Sequence, residues 1–298
     1  MIETQMPHFV DSILTREAAG AALENGPVTV GLYTNIENVQ SVVHSHPYYE
    51  MILPVSGSIV RYSIGGSIFD LHPGELIFFP AGMYHSGLFH VTDTVSDRIV
   101  VQINAALWSR LSLMTGLSKN TWQQNLVILD TEAVDHWAIR GLLERLGLSC
   151  RFNDSIRASV QDHEISELLL LLDHQLMHQD TAAPGAYNEL VTRAVAYLQS
   201  HYTDPGLTVS QLARYTYTSR EHLSRVFKEY TLESVHSYLT NLRMQHCRNA
   251  LAMGSNVLEA CNDSGFSNYS SFLKSFHRLY GVTPTEYRAR LRQSRERE

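Results

Sequence analysis

Cysteine is scarce in these 298 residues: there are three, Cys150, Cys247 and Cys261. Their separations fit neither a metal-binding spacing nor a disulfide framework, which excludes a small stapled secreted scaffold. Long apolar runs are missing too, and no stretch approaches the ~18 unbroken apolar residues of a membrane span. The opening MIETQMPHFVDS has neither the basic nor the apolar region of a signal peptide. Together these absences predict a cytoplasmic protein with reduced thiols and no membrane partner. Charge of one sign is also in short supply, with 18% charged residues and a formal net charge of −7. Hydrophobic residues make up 44% of the chain, enough for two cores.

The net charge conceals a division. From Tyr187 onward there are 14 Lys and Arg against 10 Asp and Glu, a net of +4, while the preceding residues carry 9 and 20, a net of −11. An acidic front half and a mildly basic back half direct attention to nucleic acid for the back half alone. The stretch DTAAPGAY, residues 180 to 187, separates them with small residues, Pro and Gly. Two domains are expected, 1–180 and 187–298.

Residues 207 to 290 hold an internal repeat. In the first copy Leu212 and Ala213 open a helix, Ser219 caps a second one, and Leu223, Val226 and Phe227 give that helix an apolar stripe. In the second copy Ala260 and Cys261 precede a turn through Gly265 and Phe266, with Asn268 as cap and Phe272 and Phe276 as stripe. The offset from Ser219 to Asn268 is 49 positions, and it sets Leu223 over Phe272, Arg225 over Lys274 and Phe227 over Phe276. Each second helix hides its stripe and offers the opposite face to solvent. That face carries Arg220, Glu221, Ser224, Arg225 and Lys228 in one copy and Tyr269, Ser270, Leu273, Lys274 and His277 in the other. Arg can fork onto guanine, Ser bonds several bases, and free N–H groups at the cap favour a phosphate. Between the copies, Val235, Leu239, Leu242, Ala250 and Leu251 predict one long connecting helix.

The stretches LARYTYTSREHLSRVFKEY, YLTNLRMQHCRNAL and GFSNYSSFLKSFHRLYGVTPTEYR resemble the AraC/XylS family of bacterial transcription regulators across the whole C-terminal region. The resemblance implies base contacts by Glu221, Ser224 and Arg225 in the first unit and by Tyr269, Ser270 and Lys274 in the second, with Arg220 beside them. It also implies double-stranded DNA and RNA polymerase as partners, and activation more often than repression. The departures are Ala260 and Cys261 where the family usually has Ile-Ala, and His277 in place of a common Lys, which weakens the expected phosphate grip of the second unit.

Up to about residue 105 the front half reads as short strands such as VTVGLYT, SIVRYSIGG, GELIFFPAG and RIVVQIN, broken by Gly, Pro and Asp. Many short strands at that spacing favour a barrel or a sandwich. From about Ala106 to Gln179 the pattern turns helical. Within the strands stand His44, His46 and Glu50, then Gly57, with Pro80, Gly82 and His85 downstream. Residues 44, 46 and 50 share parity, so an unbulged strand directs all three to one face. This spacing resembles the two cupin motifs, with Asn38 and Phe89 replacing the usual first Gly and closing Asn. In a cupin enzyme, residues at the positions of His44, His46, Glu50 and His85 hold a divalent metal, and imidazoles with one carboxylate suit Fe, Mn, Zn, Ni or Cu. In the regulator family the same barrel is generally an effector pocket. Metal binding, effector contact without metal and plain structural hydrogen bonding therefore all stay open. Tyr48 shares the inward parity, and Arg61 and Tyr62 follow on the next strand as a pair of which one can orient a polar ligand.

Along residues 155 to 179, Ile165, Leu168, Leu172 and Leu176 form one stripe flanked by Leu169 and Leu171. A helix apolar over so wide an arc buries two faces, and the resemblance implies a homodimer through it. The expected architecture is thus α+β and multidomain: a cupin-like β-barrel with trailing helices, then an all-α tandem helix-turn-helix. The expected function is a DNA-binding regulator sensing a small polar metabolite, a carbohydrate favoured by the mixture of His, Glu, Tyr and Arg. Two alternatives stand beside it, a metal-dependent cupin enzyme fused to a DNA-binding domain and a regulator whose cupin half only dimerises.

Overall fold

The computed structural model describes residues 27–35, 39–89, 96–117, 125–178 and 186–295. The opening dodecapeptide and Asn38 lie outside them. The strands are β1 (Val28–Asn35), β2 (Val39–Gln40), β3 (Tyr48–Pro54), β4 (Val60–Ile64), β5 (Ser67–Leu71), β6 (Leu76–Phe79), β7 (His85–Phe89), β8 (Ser96–Asn104), β9 (Val127–Leu129) and β10 (Ala186–Tyr187).

The closed barrel expected from the sequence is not formed. Two separate five-stranded sheets face each other, ordered β1-β8-β3-β6-β9 and β10-β5-β4-β7-β2, with every pairing antiparallel. Closure needs the last strand of the ladder to pair with the first. Here no ladder among the described residues joins one sheet to the other, and three of the four sheet edges are very short strands, three residues in β9 and two in β2 and β10, the fourth being the eight-residue β1.

Alternation sets what each face meets. Ile52, Ile77, Phe79 and Val100 of the first sheet and Val60, Tyr62, Phe69 and Leu71 of the second form the core between the sheets. The opposite face of the first sheet, with Met51, Leu53, Phe78, Ile99 and Val101, is covered by helices. These are α1 (Ala105–Met114), α2 (Thr131–His136), α3 (Ile139–Ser149) and α4 (Asp154–His178). Ile165, Leu168, Leu169 and Leu172 of α4 are fully buried there, beside Trp108 and Leu143. The expected unbroken helical run is interrupted by β9, because a three-residue apolar run such as VIL cannot be told from a helix turn by periodicity.

The C-terminal half is all helical after β10: α5 (Glu189–His201), α6 (Val209–Tyr215), α7 (Arg220–Thr231), α8 (Val235–Ala252), α9 (Val257–Asp263), α10 (Tyr269–Tyr280) and α11 (Pro284–Arg295). Both expected caps are in place. Ser219 accepts from the backbone of His222 and Asn268 from that of Ser271, each worth about 1 kcal/mol. Leu223, Val226 and Phe227 close the first unit's core with Val195 and Leu212. Phe272 and Phe276 close the second with Met244, Cys247, Leu251, Ala260 and Cys261. Leu273, expected on the solvent face, is partly buried against this second core.

The connecting helix α8 runs through both cores, and Arg243 on it donates to the carbonyls of Tyr202 and Asp204 at 2.7 and 2.6 Å. Gly265, at φ +83°, lies so close to the first unit that a Cβ there would meet the Tyr202 and Thr203 carbonyl oxygens at 2.7 Å. The two units therefore abut through bare backbone.

Candidate functional site

Two regions collect the residues that carry chemistry, an imidazole cluster at the edge of the β-sandwich and the outer faces of α7 and α10. The cluster is assembled by the chain changing sheets. His44 faces His85 across an isolated antiparallel bridge, their backbones exchanging bonds of 3.0 and 2.9 Å. Their rings stand 4.2 Å apart. The chain then crosses to the first sheet, where β3 begins at Tyr48 and carries Glu50 inward. The single unbulged strand read from the shared parity of residues 44, 46 and 50 is absent. Pro47 stands at the crossing, where a residue without an N–H ends strand pairing. Gly82, in the left-handed region at φ +83°, donates to the His46 carbonyl at 2.8 Å and so ties the Pro80–Gly82 turn to the crossing just before His85.

Each ring in the cluster is oriented by a carbonyl. The Nδ1 atoms of His44, His46 and His85 lie 3.0, 2.8 and 3.0 Å from the carbonyl oxygens of Val42, Tyr48 and Met83. A carbonyl only accepts, so each Nδ1 carries a hydrogen and each Nε2 is left for the interior. The three histidines bring one nitrogen each to within 4.8 Å of one another. Glu50 Oε2 lies 3.2 Å from His46 Nε2 and 3.5 Å from His85 Nε2, while Glu50 Oε1 accepts from Gln102 Nε2 at 2.7 Å. With neutral rings, nitrogen lone pairs would point at a carboxylate, so the arrangement calls for a cation between them, a proton or a metal ion. Burial pushes the Glu50 carboxyl up, but the His46 and His85 imidazoles outweigh it and hold it well below the usual carboxylate range. Burial pulls His85 below its ordinary value, against the pull of Glu50. Three oriented imidazole nitrogens and a buried ionised carboxylate fit a divalent cation.

Tyr48 stacks on His46 at 3.9 Å, and its hydroxyl accepts from Gln102 at 3.3 Å. Arg61 is elsewhere. It is exposed on the outer face of β4, where Asp70 on β5 takes its guanidinium through two bonds of 2.6 and 2.7 Å, and it does not reach the imidazole cluster. An alternating strand sends only one of two neighbours inward; Tyr62 is that one, fully buried against Phe79.

On α7, Arg220, Glu221, Ser224 and Arg225 are all exposed, as are Tyr269, Ser270 and Lys274 on α10. Arg225 is held only loosely, 3.8 Å from Glu229 one turn on.

A third set of contacts, unforeseen in the sequence, joins the regions. Glu233, between α7 and α8, accepts from the buried Val43 N–H at 2.6 Å, and also from Ser237 and Asn241. Gln245 on α8 accepts from the Ser45 N–H at 3.0 Å. His44 thus hangs between two anchors on the DNA-side half, with Val43 buried in the first unit's core. Gln40 and Ser63 add bonds to the Leu232 and Tyr230 carbonyls at 2.7 and 2.6 Å. Buried acceptors such as Glu233 and Gln245 look like ordinary polar helix residues until their partners, about 200 positions away, are known.

Residues 212–290 match the helix-turn-helix domain model, and residues 37–95 match the cupin domain model. The chain joins a cupin-like domain to an AraC/XylS-type helix-turn-helix DNA-binding domain. This AraC/XylS-type region is 33% identical over 96 residues to the raffinose operon transcriptional regulatory protein RafR of Pediococcus pentosaceus, covering 32% of this chain and 34% of that one. Over 276 residues, 87% of each protein, the chain is 22% identical to the melibiose operon regulatory protein of Escherichia coli K12. Among solved structures, ToxT from Vibrio cholerae matches over 89% of this chain and 98% of its own at 14% identity, with a TM-score of 0.41. The chain spans about a third of the length of the first relatives it matches. No helix among the described residues is long and apolar enough to cross a membrane.

Proposed function

We propose that the protein is a sequence-specific, effector-responsive transcription regulator whose paired reading helices α7 and α10 enter successive major grooves of a promoter. The observation that carries this is the pair of capped, solvent-facing helices fixed on one connecting helix, with Arg225 and Lys274 at equivalent positions. In this reading Arg220, Glu221, Ser224, Arg225, Tyr269, Ser270 and Lys274, all exposed, are the contacts with the duplex. On an operator selected from a random-sequence duplex pool, Arg225→Ala and Lys274→Ala should each cost about 1–3 kcal/mol of binding. Fluorescence anisotropy at fixed salt measures it, and unchanged affinity in both variants removes the assignment.

The imidazole cluster is the sensing end, with His44, His46, Tyr48, Glu50 and His85 as its contacts and a small polar metabolite as its signal. Relatives named for raffinose, lactose and melibiose operons favour a carbohydrate or a close derivative. A divalent metal held by the three histidines and Glu50 would supply a Lewis-acidic point for an oxygen of that ligand. Adding Zn2+ to the chelator-stripped full-length protein should therefore raise its melting temperature, by about 2.7 kcal/mol of stability at 100 times the dissociation constant, and His85→Ala should abolish the rise. A metal-independent shift with a metabolite supports the metal-free pocket instead. Catalysis is not part of this reading, since the relatives named above are regulators. A signal at His44 reaches the DNA-binding half through Val43 and Ser45, the residues that Glu233 and Gln245 hold.

Domains 1–180 and 187–298, a cytoplasmic location, activation through RNA polymerase and a homodimer through α4 complete the proposal. Ile156, Leu170 and Met177 are exposed on α4 at separations of fourteen and seven residues, a single face left over after the core is filled.

A further inference from the structure

The inner face of β8 carries one cation. Arg98 shares the inward parity of Val100 and Gln102, which lie between the sheets, and its guanidinium sits 4.3 Å from the ring centre of Phe89 and 5.4 Å from that of Tyr33. Those rings supply π faces and no counter-charge. Among the described residues the guanidinium has no hydrogen bond and no ion pair, and Nη1 is enclosed without an acceptor. Burial pulls its pKa below the ordinary arginine value. Glu50 is the carboxylate whose charge reaches it, yet both Glu50 oxygens are engaged, one by Gln102 and the other beside His46 and His85. Asp97, next in the chain, turns to Ser56. A second orphan lies along the same strand face, since Gln102 Oε1 is buried with no donor. Charges taken out of water are kept where they are paired, and here no partner stands among the described residues.

We propose that Arg98 is the anchor for a carboxylate on the effector, so that the signal is a small hydroxy-carboxylate of the sugar-acid type. The guanidinium fork matches a carboxylate in two parallel bonds. A hydroxyl of the same ligand satisfies Gln102 Oε1, and the imidazole cluster beyond Glu50 takes another of its oxygens. One carboxylate balances the single charge of Arg98. This inference rests on the effector-pocket reading and narrows its ligand class.

The test uses full-length wild-type protein and Arg98→Met, with matched probes: glucuronate against glucose, gluconate against sorbitol, and 4-hydroxybenzoate against 4-hydroxybenzyl alcohol. Without ligand, Arg98→Met should melt higher than wild type, because an apolar side chain of similar length replaces a half-buried charge whose Nη1 has no acceptor. An acid should stabilise wild type while its neutral partner does not, and Arg98→Met should lose that affinity by at least about tenfold. Neutral probes that stabilise both proteins as well as the acids do would overturn the Arg98 assignment and leave the effector reading intact. A lower unliganded melting temperature in Arg98→Met would make Arg98 a structural residue and also overturn it. If no probe of either kind changes melting or operator affinity, the effector reading falls and the anchor with it.

Discussion

Glu233→Ala should yield a protein that still binds its operator but no longer answers its effector. The carboxylate is buried between α7 and α8, where Oε1 takes the Val43 N–H and Oε2 takes Asn241 and Ser237. Burial pushes its pKa up, and these three bonds work against that rise. Truncation leaves the buried Val43 N–H and Asn241 amide without an acceptor, at about 1–3 kcal/mol each. Relief of the carboxylate's own desolvation offsets part of the loss. Urea unfolding should show the net destabilisation, and anisotropy titrations with and without effector should give the same operator affinity. Glu233→Gln keeps an acceptor for Val43 and should retain a partial response. A Glu233→Ala protein with a full response would mean that the signal travels by another route.

Phe272→Ala should remove the second reading helix from action. Phe272 is fully buried, with Phe266, Tyr269 and Phe276 at ring distances of 5.2, 5.8 and 5.8 Å. Its core has few members, and Ala260, Cys247 and Cys261 are too small to fill the gap. A cost of about 3–5 kcal/mol is expected for such a truncation, comparable with the whole stability of a small helical unit. The first unit has its own core around Leu223 and Phe227. Footprinting should therefore show the half-site of α10 lost and that of α7 kept, and denaturation should split into two transitions. Loss of both half-sites together would show that the units fold as one.

What the sequence made legible was local. Caps at Ser219 and Asn268, the stripe of Phe272 and Phe276 and the span of α8 all depend on residues within a few turns of one another, and each stands where the pattern puts it. Closure of the strands into a barrel depends on which distant edges pair, and alternation along VTVGLYT or RIVVQIN is the same in a barrel and in a two-sheet sandwich. The imidazole cluster shows the same limit. His44, His46, Glu50 and His85 do meet, but through a crossing between sheets that parity arguments within one strand cannot describe. Arg61 is expected, as one of a pair with Tyr62 on the strand after the cluster, to be able to orient a polar ligand, whereas the guanidinium between the sheets is that of Arg98. A signal for it existed in RIVVQIN, where Arg98 and Gln102 alternate with Ile99, Val101 and Ile103 on a strand apolar enough to be covered on both faces. Glu233 and Gln245 left no such trace, since their partners come from the other end of the chain.

The missing side chain of Gly265 bears on the promoter as much as on the protein. With no methyl group between them, backbone meets backbone at Tyr202 and Thr203, and Arg243 clamps the same carbonyl region. The two units are thus held against each other by close backbone contact. On B-form DNA each base pair inserted between two half-sites turns the second by about 34–36° around the axis, since one turn holds 10–10.5 base pairs. In the proposed complex, units held in this way would not follow that rotation, so the helical phase of the operator would be set in part by the turn in the second unit where Gly265 meets the first.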